Sequence, residues 1–76
     1  MLISTNEVVR AITGEEDEET LLLIANITGI EFLVDGHRFG RLHAPLDGSG
    51  VVDLTDSESL SFRIGEEVVE AAELLR

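Results

Sequence analysis

The pattern of apolar and polar positions divides this chain into thirds, separated by two turn-rich stretches. Gly14 precedes five consecutive acids, Glu15 to Glu19, and Asp47-Gly48-Ser49-Gly50 follows Pro45. In the first third, Ser4 and Glu7 have the spacing of a capping box, which predicts a short helix from Thr5 to Thr13. Val8, Val9 and Ile12 then share one face of it, with Glu7 and Arg10 three apart on the other side.

The segment from Thr20 to Val34 satisfies neither period cleanly, because apolar residues fall at 21 to 25, 27, 30 and 32 to 34. Read as a helix, it places Leu22, Ala25, Gly29 and Phe32 on one face and sets the acidic run at the positive end of the helix dipole. Read as two strands hinged near Thr28-Gly29, it accommodates the β-branched residues and avoids a mid-helix glycine that costs roughly 1 kcal/mol. The helix is favoured, and both readings stay open.

Beyond it, Asp35-Gly36 supplies the positive φ angles of a tight hairpin, and Asp47 to Gly50 supplies a second turn. Strands are predicted at 38 to 43, 51 to 55 and 60 to 64, the last with Leu60, Phe62 and Ile64 alternating with Ser61 and Arg63. After Gly65, a final helix from 66 to 76 is expected. Its glutamates lie to one side, Val68, Val69, Ala71, Ala72, Leu74 and Leu75 to the other, and Arg76 closes it. The expected fold is α+β in one small domain, residues 1 to 76: a short N-terminal helix, a second helix or strand pair at 20–34, a small antiparallel sheet at about 38–64, and a C-terminal helix at 66–76.

Composition sharpens this picture. Leu, Ile, Val and Phe make up roughly a third of the chain, above the level at which acidic sequences stay disordered. A domain of 76 residues buries only about 60% of the surface its unfolded chain exposes, and without cysteine it has neither disulfide nor thiolate metal site. Self-association or a partner is therefore expected to contribute. The net charge is −11, lysine is absent, and all five cations are arginines. Such a surface repels phosphate, so direct nucleic-acid binding is not expected unless the arginines converge, nor is binding to an anionic membrane. Abundant acid without lysine also suits a salt-loving source, because at about 1 M salt the Debye length falls to about 3 Å and self-repulsion is screened. The longest apolar run, Leu21 to Ala25, is far short of a bilayer span, and Met1-Leu2-Ile3 runs straight into polar residues, which leads to the expectation of a soluble protein made in the cytoplasm.

Candidate chemistry is sparse. His37 and His43 are the two imidazoles, and on one straight strand they stand roughly 20 Å apart, so no metal site is expected. Asp47, Ser49 and Asp53 only superficially resemble a calcium loop, since Val51 stands at a ligand position. Ser49 between two glycines lacks the nucleophile-elbow pattern, and the acids at 15 to 19 read as a solvated loop. No cofactor and no catalytic residue is expected. Arg38, Phe39 and Arg41 form a more telling group, because arginine and aromatic residues are enriched at protein interfaces. Val68, Val69, Ala72 and Leu75 form a second candidate contact surface on the last helix.

The order of features resembles the head-to-tail connector (adaptor) family of tailed viruses, whose small subunits form a ring beneath the portal. Met1-Leu2-Ile3-Ser4-Thr5-Asn6-Glu7-Val8-Val9 resembles the family's opening short helix. The acidic run followed by Thr20-Leu21-Leu22-Leu23-Ile24-Ala25 resembles the start of its long second helix. Ile30-Glu31 through Gly36-His37-Arg38-Phe39 resembles the turn that leads into its β arm. Over about residues 1 to 55 the resemblance implies a non-enzymatic structural protein of the virion, assembled in the host cytoplasm as a homo-oligomer or against neighbouring virion proteins. The alternative is a small acidic cytoplasmic interaction or regulatory module from a halophilic organism.

The charge balance generates a measurable expectation. Thermal unfolding moves upward by several degrees between about 0.1 M and 2 M KCl as repulsion is screened. An unchanged or falling midpoint in KCl, with sulfate run as a control for salting-out, contradicts adaptation to salt.

Overall fold

The computed structural model describes residues 1–54 and 59–75. Strand β1 (Leu2–Ser4) leads directly into helix α1 (Thr5–Thr13). The Ser4 hydroxyl accepts the Glu7 amide at 3.2 Å, the first half of the expected capping box, while the Glu7 carboxylate turns to Arg10 instead of reaching back. Gly14, at φ 75°, ends the helix by donating its N–H to the Arg10 carbonyl. Val8, Val9 and Ile12 are buried, as the helical spacing predicts.

Helix α2 (Glu18–Leu23) starts inside the acidic run because Asp17 caps it, accepting both the Thr20 amide at 3.1 Å and the Thr20 hydroxyl at 2.7 Å. It runs on through a π-helical turn, Ile24–Thr28, closed by the Gly29 amide donating to the Ile24 carbonyl. The chain then turns into strand β2 (Ile30–Val34). The 20–34 segment thus combines the two expected readings: its first half is helical, its second half is a single strand, and Gly29 is the hinge. Leu21 and Ala25, four apart, form the buried helical face, whereas Leu22 is only half-buried and Phe32 belongs to the sheet. Gly29 sits at φ 78° and ψ 171°, a region closed to side chains, and a Cβ there would stand 2.9 Å from the Leu42 carbonyl oxygen.

Strands β3 (His37–Leu42), β4 (Val51–Asp53), β5 (Leu60–Ile64) and β6 (Glu67–Glu70) and helix α3 (Ala71–Leu74) complete the described chain. Four strands form one antiparallel sheet in the order β3-β2-β5-β6. The β4 strand leaves the expected 38–64 sheet and pairs antiparallel with β1, because Gly50 accepts the Thr5 amide at 3.0 Å and steers the chain onto that strand. The expected 51–55 strand ends at Asp53, and Thr55 lies outside the described residues.

The C-terminal helix is confined to Ala71–Leu74, and Glu67–Glu70 within the expected 66–76 helix forms β6. Gly65, at φ 63°, makes a tight turn that returns the chain along β5. Adjacent β-branched Val68 and Val69 then gain more from that pairing than from a helix of eleven residues. Arg76, expected to close the helix, lies outside the described residues.

The result is two layers. Phe62 pairs with Phe32 on one side and Val69 on the other, so these three point to the inner face, where α1 lies across β5 and β6 with α2 beside it. Phe62, Leu21, Ile30, Val8 and Val9 are the largest fully buried side chains among the described residues. Phe62→Ala is expected to cost about 3 to 5 kcal/mol of stability in denaturant titration. Gly29→Ala is expected to cost about 1 to 3 kcal/mol or more, from backbone strain and the forced displacement of β3.

Candidate interaction surface

The sheet presents two different surfaces, and β3 borders both. In the β2–β3 pairing Phe32 faces Gly40 but Leu33 faces Arg38, so Phe39 is an extra residue, a β-bulge. On a regular strand Arg38 and Arg41, three apart, would point to opposite faces. The bulge brings them to the same one.

That outer face holds Glu31, whose cross-strand partners are Arg41 and Arg63. The Glu31 carboxylate meets Arg38 at 2.9 Å, Arg63 at 3.0 Å and Arg41 at 3.5 Å. Its side chain is 15% exposed, under a ring of more exposed guanidiniums. The Arg63 hydrogen bond, reinforced by the charges of Arg63, Arg38 and Arg41, outweighs desolvation and holds the Glu31 carboxyl below its ordinary range. Three cations share one carboxylate, and Arg63 Nε is buried without an acceptor, so the cluster carries surplus positive charge on a protein of net charge −11. Three of the five arginines thus converge on one carboxylate of the outer face.

The inner side of β3 is apolar. A groove of about 390 Å³ runs between the sheet and β4, lined by Phe32, Val34, Phe39, Leu42, Leu60 and Phe62 opposite Val51, Val52 and Asp53. Phe39 tilts against Phe32 with centroids 5.9 Å apart yet is 74% exposed, and Val51 is 55% exposed. The exposed ring and the groove together form one apolar patch open to solvent.

The candidates from the last helix are distributed differently from the single apolar face expected. Val68 and Val69 alternate on β6, so Val69 is buried in the core while Val68 is exposed on the outer face. Ala72 and Leu75 are both exposed. His37 is exposed on β3, whereas the His43 Nδ1–H donates to the Asn26 carbonyl at 2.8 Å. Together with the Ala44 amide, which donates to the Ala25 carbonyl at 2.9 Å, it satisfies acceptors left open by the π turn. No group of three metal-ligating side chains occurs among the described residues. No helix among them is long and apolar enough to cross a membrane. Asp47 accepts the Ser49 amide at 2.9 Å, and this bonding with Ser49 keeps its carboxyl below the ordinary range, so Ser49 is part of an Asx turn.

Arg38, Phe39 and Arg41 stand out in the sequence by residue type, whereas Glu31 and Arg63, which complete the cluster, do not. Its one signal was a lone acid between Ile30 and Phe32 in an otherwise apolar run.

The cluster predicts an acid-side effect. Because the folded Glu31 pKa is below its unfolded value, its contribution is fully present above the unfolded pKa and is lost as pH falls through the folded one. Glu31→Gln is expected to lower the melting temperature at neutral pH and to flatten the stability loss between about pH 5 and pH 2. Parallel melts across that range check it.

Neither a family of known proteins, nor a characterised protein, nor a solved structure matches this chain.

Proposed function

We propose that this protein is a non-enzymatic protein-docking subunit that works through the β3 side of its sheet. The observation that carries the reading is Phe39, 74% exposed over an apolar groove on a strand that lies at the sheet's edge. Arg38 and Arg41 flank it in sequence and lie on the outer face, where they share the single Glu31 carboxylate with Arg63. Aromatic and arginine side chains of this kind supply much of the binding energy of protein interfaces.

Two settings use this surface. The resemblance of residues 1 to 55 to connector subunits supports a ring component in the neck of a tailed virus particle, assembled in the host cytoplasm. The change from helix to strand at Gly29 supports the alternative, a small acidic interaction module of a halophile, because the connector resemblance implies a continuous second helix there. In both the docking surface is the same.

A photo-crosslinking amino acid placed at position 39 is expected to trap a protein partner in the native cell or particle. The same group at position 27, also exposed but on the helical side, serves as the control. Phe39→Ala is expected to lower stability by under about 1 kcal/mol, since the ring is mostly in water already, while abolishing the assembled species formed by the unmodified chain. Equal crosslinking at both positions, or a loss of stability as large as that of Phe62→Ala, overturns the reading.

A further inference from the structure

We infer that the two edges of the four-stranded sheet take one occupant, a second copy of this chain, with β6 of one copy pairing to β3 of the next. This inference deepens the docking reading and rests on it. Among the described residues, β3 and β6 are the outer strands, and each turns a row of backbone N–H and C=O groups away from the sheet. The edges are opposite in charge. Within His37–Leu42 the ionised residues are Arg38 and Arg41, and within Glu67–Glu70 they are Glu67 and Glu70.

Strand polarity makes the pairing repeatable. Every neighbouring pair in β3-β2-β5-β6 is antiparallel, so β6 runs opposite to β3. A copy placed in the same orientation beyond β6 therefore presents its own β3 antiparallel, and the alternation continues across the junction without reversing the molecule. The two self-complementary alternatives carry electrostatic penalties: β6 against β6 opposes glutamates, and β3 against β3 opposes arginines.

Side-chain placement agrees. Val68 pairs with Arg63 and Glu70 with Ser61, so Val68 and Glu70 lie on the outer face that also carries Glu31, Arg38 and Arg41. Extending the sheet brings the Glu70 carboxylate of one copy alongside Arg38 and Arg41 of the next, where three guanidiniums share only one internal acid. It also brings the exposed Val68 to the junction on the outer face, while Phe39 stands open on the inner side of the neighbouring edge. Because different surfaces meet, the contact is heterologous and generates a ring where the rotation closes and a filament where it does not.

The test is the mass of the folded chain by light scattering at high protein concentration, in about 0.15 M and about 1 M salt. The wild type is expected to be oligomeric. Glu70→Arg and Arg38→Glu are each expected to weaken self-association by roughly tenfold; Glu70→Arg leaves the circular-dichroism melt in place, whereas Arg38→Glu, which sets a second carboxylate beside Glu31, lowers its midpoint but keeps a cooperative transition. The two defects are expected to narrow at the higher salt. Mixed one to one, the two variants regain assembly, because the arginine introduced at position 70 meets the glutamate introduced at position 38 while the other junction is unaltered. A variant that failed to fold would not regain assembly on mixing, so rescue separates a lost contact from a lost fold. A wild type that stays monomeric, or variants that assemble like the wild type, overturns edge pairing. Crosslinking from position 39 to a protein other than this chain then leaves the docking reading standing, whereas no crosslink there removes both.

Discussion

The insertion of β2 between β3 and β5 is the contact on which the rest of the molecule depends. It places Phe32 against Phe62 on one face and Glu31 against Arg63 on the other, so a single strand organises both the apolar core and the charged outer surface. The core needs this economy. A 76-residue domain has too little interior for a second apolar cluster, and the buried side chains that pack together come from α1, α2 and its π turn, the sheet, β4 and the loops around them.

The central strand reaches its place only because the helix before it stops at Gly29. There the backbone adopts an angle that a side chain would forbid, and β3 passes so close that a Cβ would meet the Leu42 carbonyl oxygen. Loop residues His43 and Ala44 then close the open helical carbonyls, tying the helical layer to the end of β3. The acidic run that looks like a featureless charged loop does local work of the same kind. Asp17 caps α2, and Glu18 reaches Arg10 and Asn6 to hold the two helices together.

Charge is distributed unevenly rather than simply in excess. Three of five arginines gather around Glu31, leaving the rest of the surface dominated by acid and giving the sheet one cationic and one anionic edge. Strand edges are a liability in a soluble protein, and charge is the usual device that guards them. Here the two edges carry opposite charges, so pairing of either edge with its like is electrostatically disfavoured.

What the sequence determined by itself is the local part. The α+β class, the first helix with its Ser4 cap, the Asp35-Gly36 hairpin and the alternating β5 strand all follow from periodicity and turn chemistry, which act within a few residues. Arg38, Phe39 and Arg41 were legible as a group because their residue types are interface types wherever they lie. The tertiary structure decided the rest. Whether Glu67–Glu70 is strand or helix depends on the free edge of β5 beside it, and whether β4 joins the larger sheet depends on Gly50 meeting Thr5. The side on which Arg38 points depends on a single bulge residue, Phe39, which no sequence period registers. Each of these is a choice between local conformations of nearly equal energy, and long-range pairing supplied the difference.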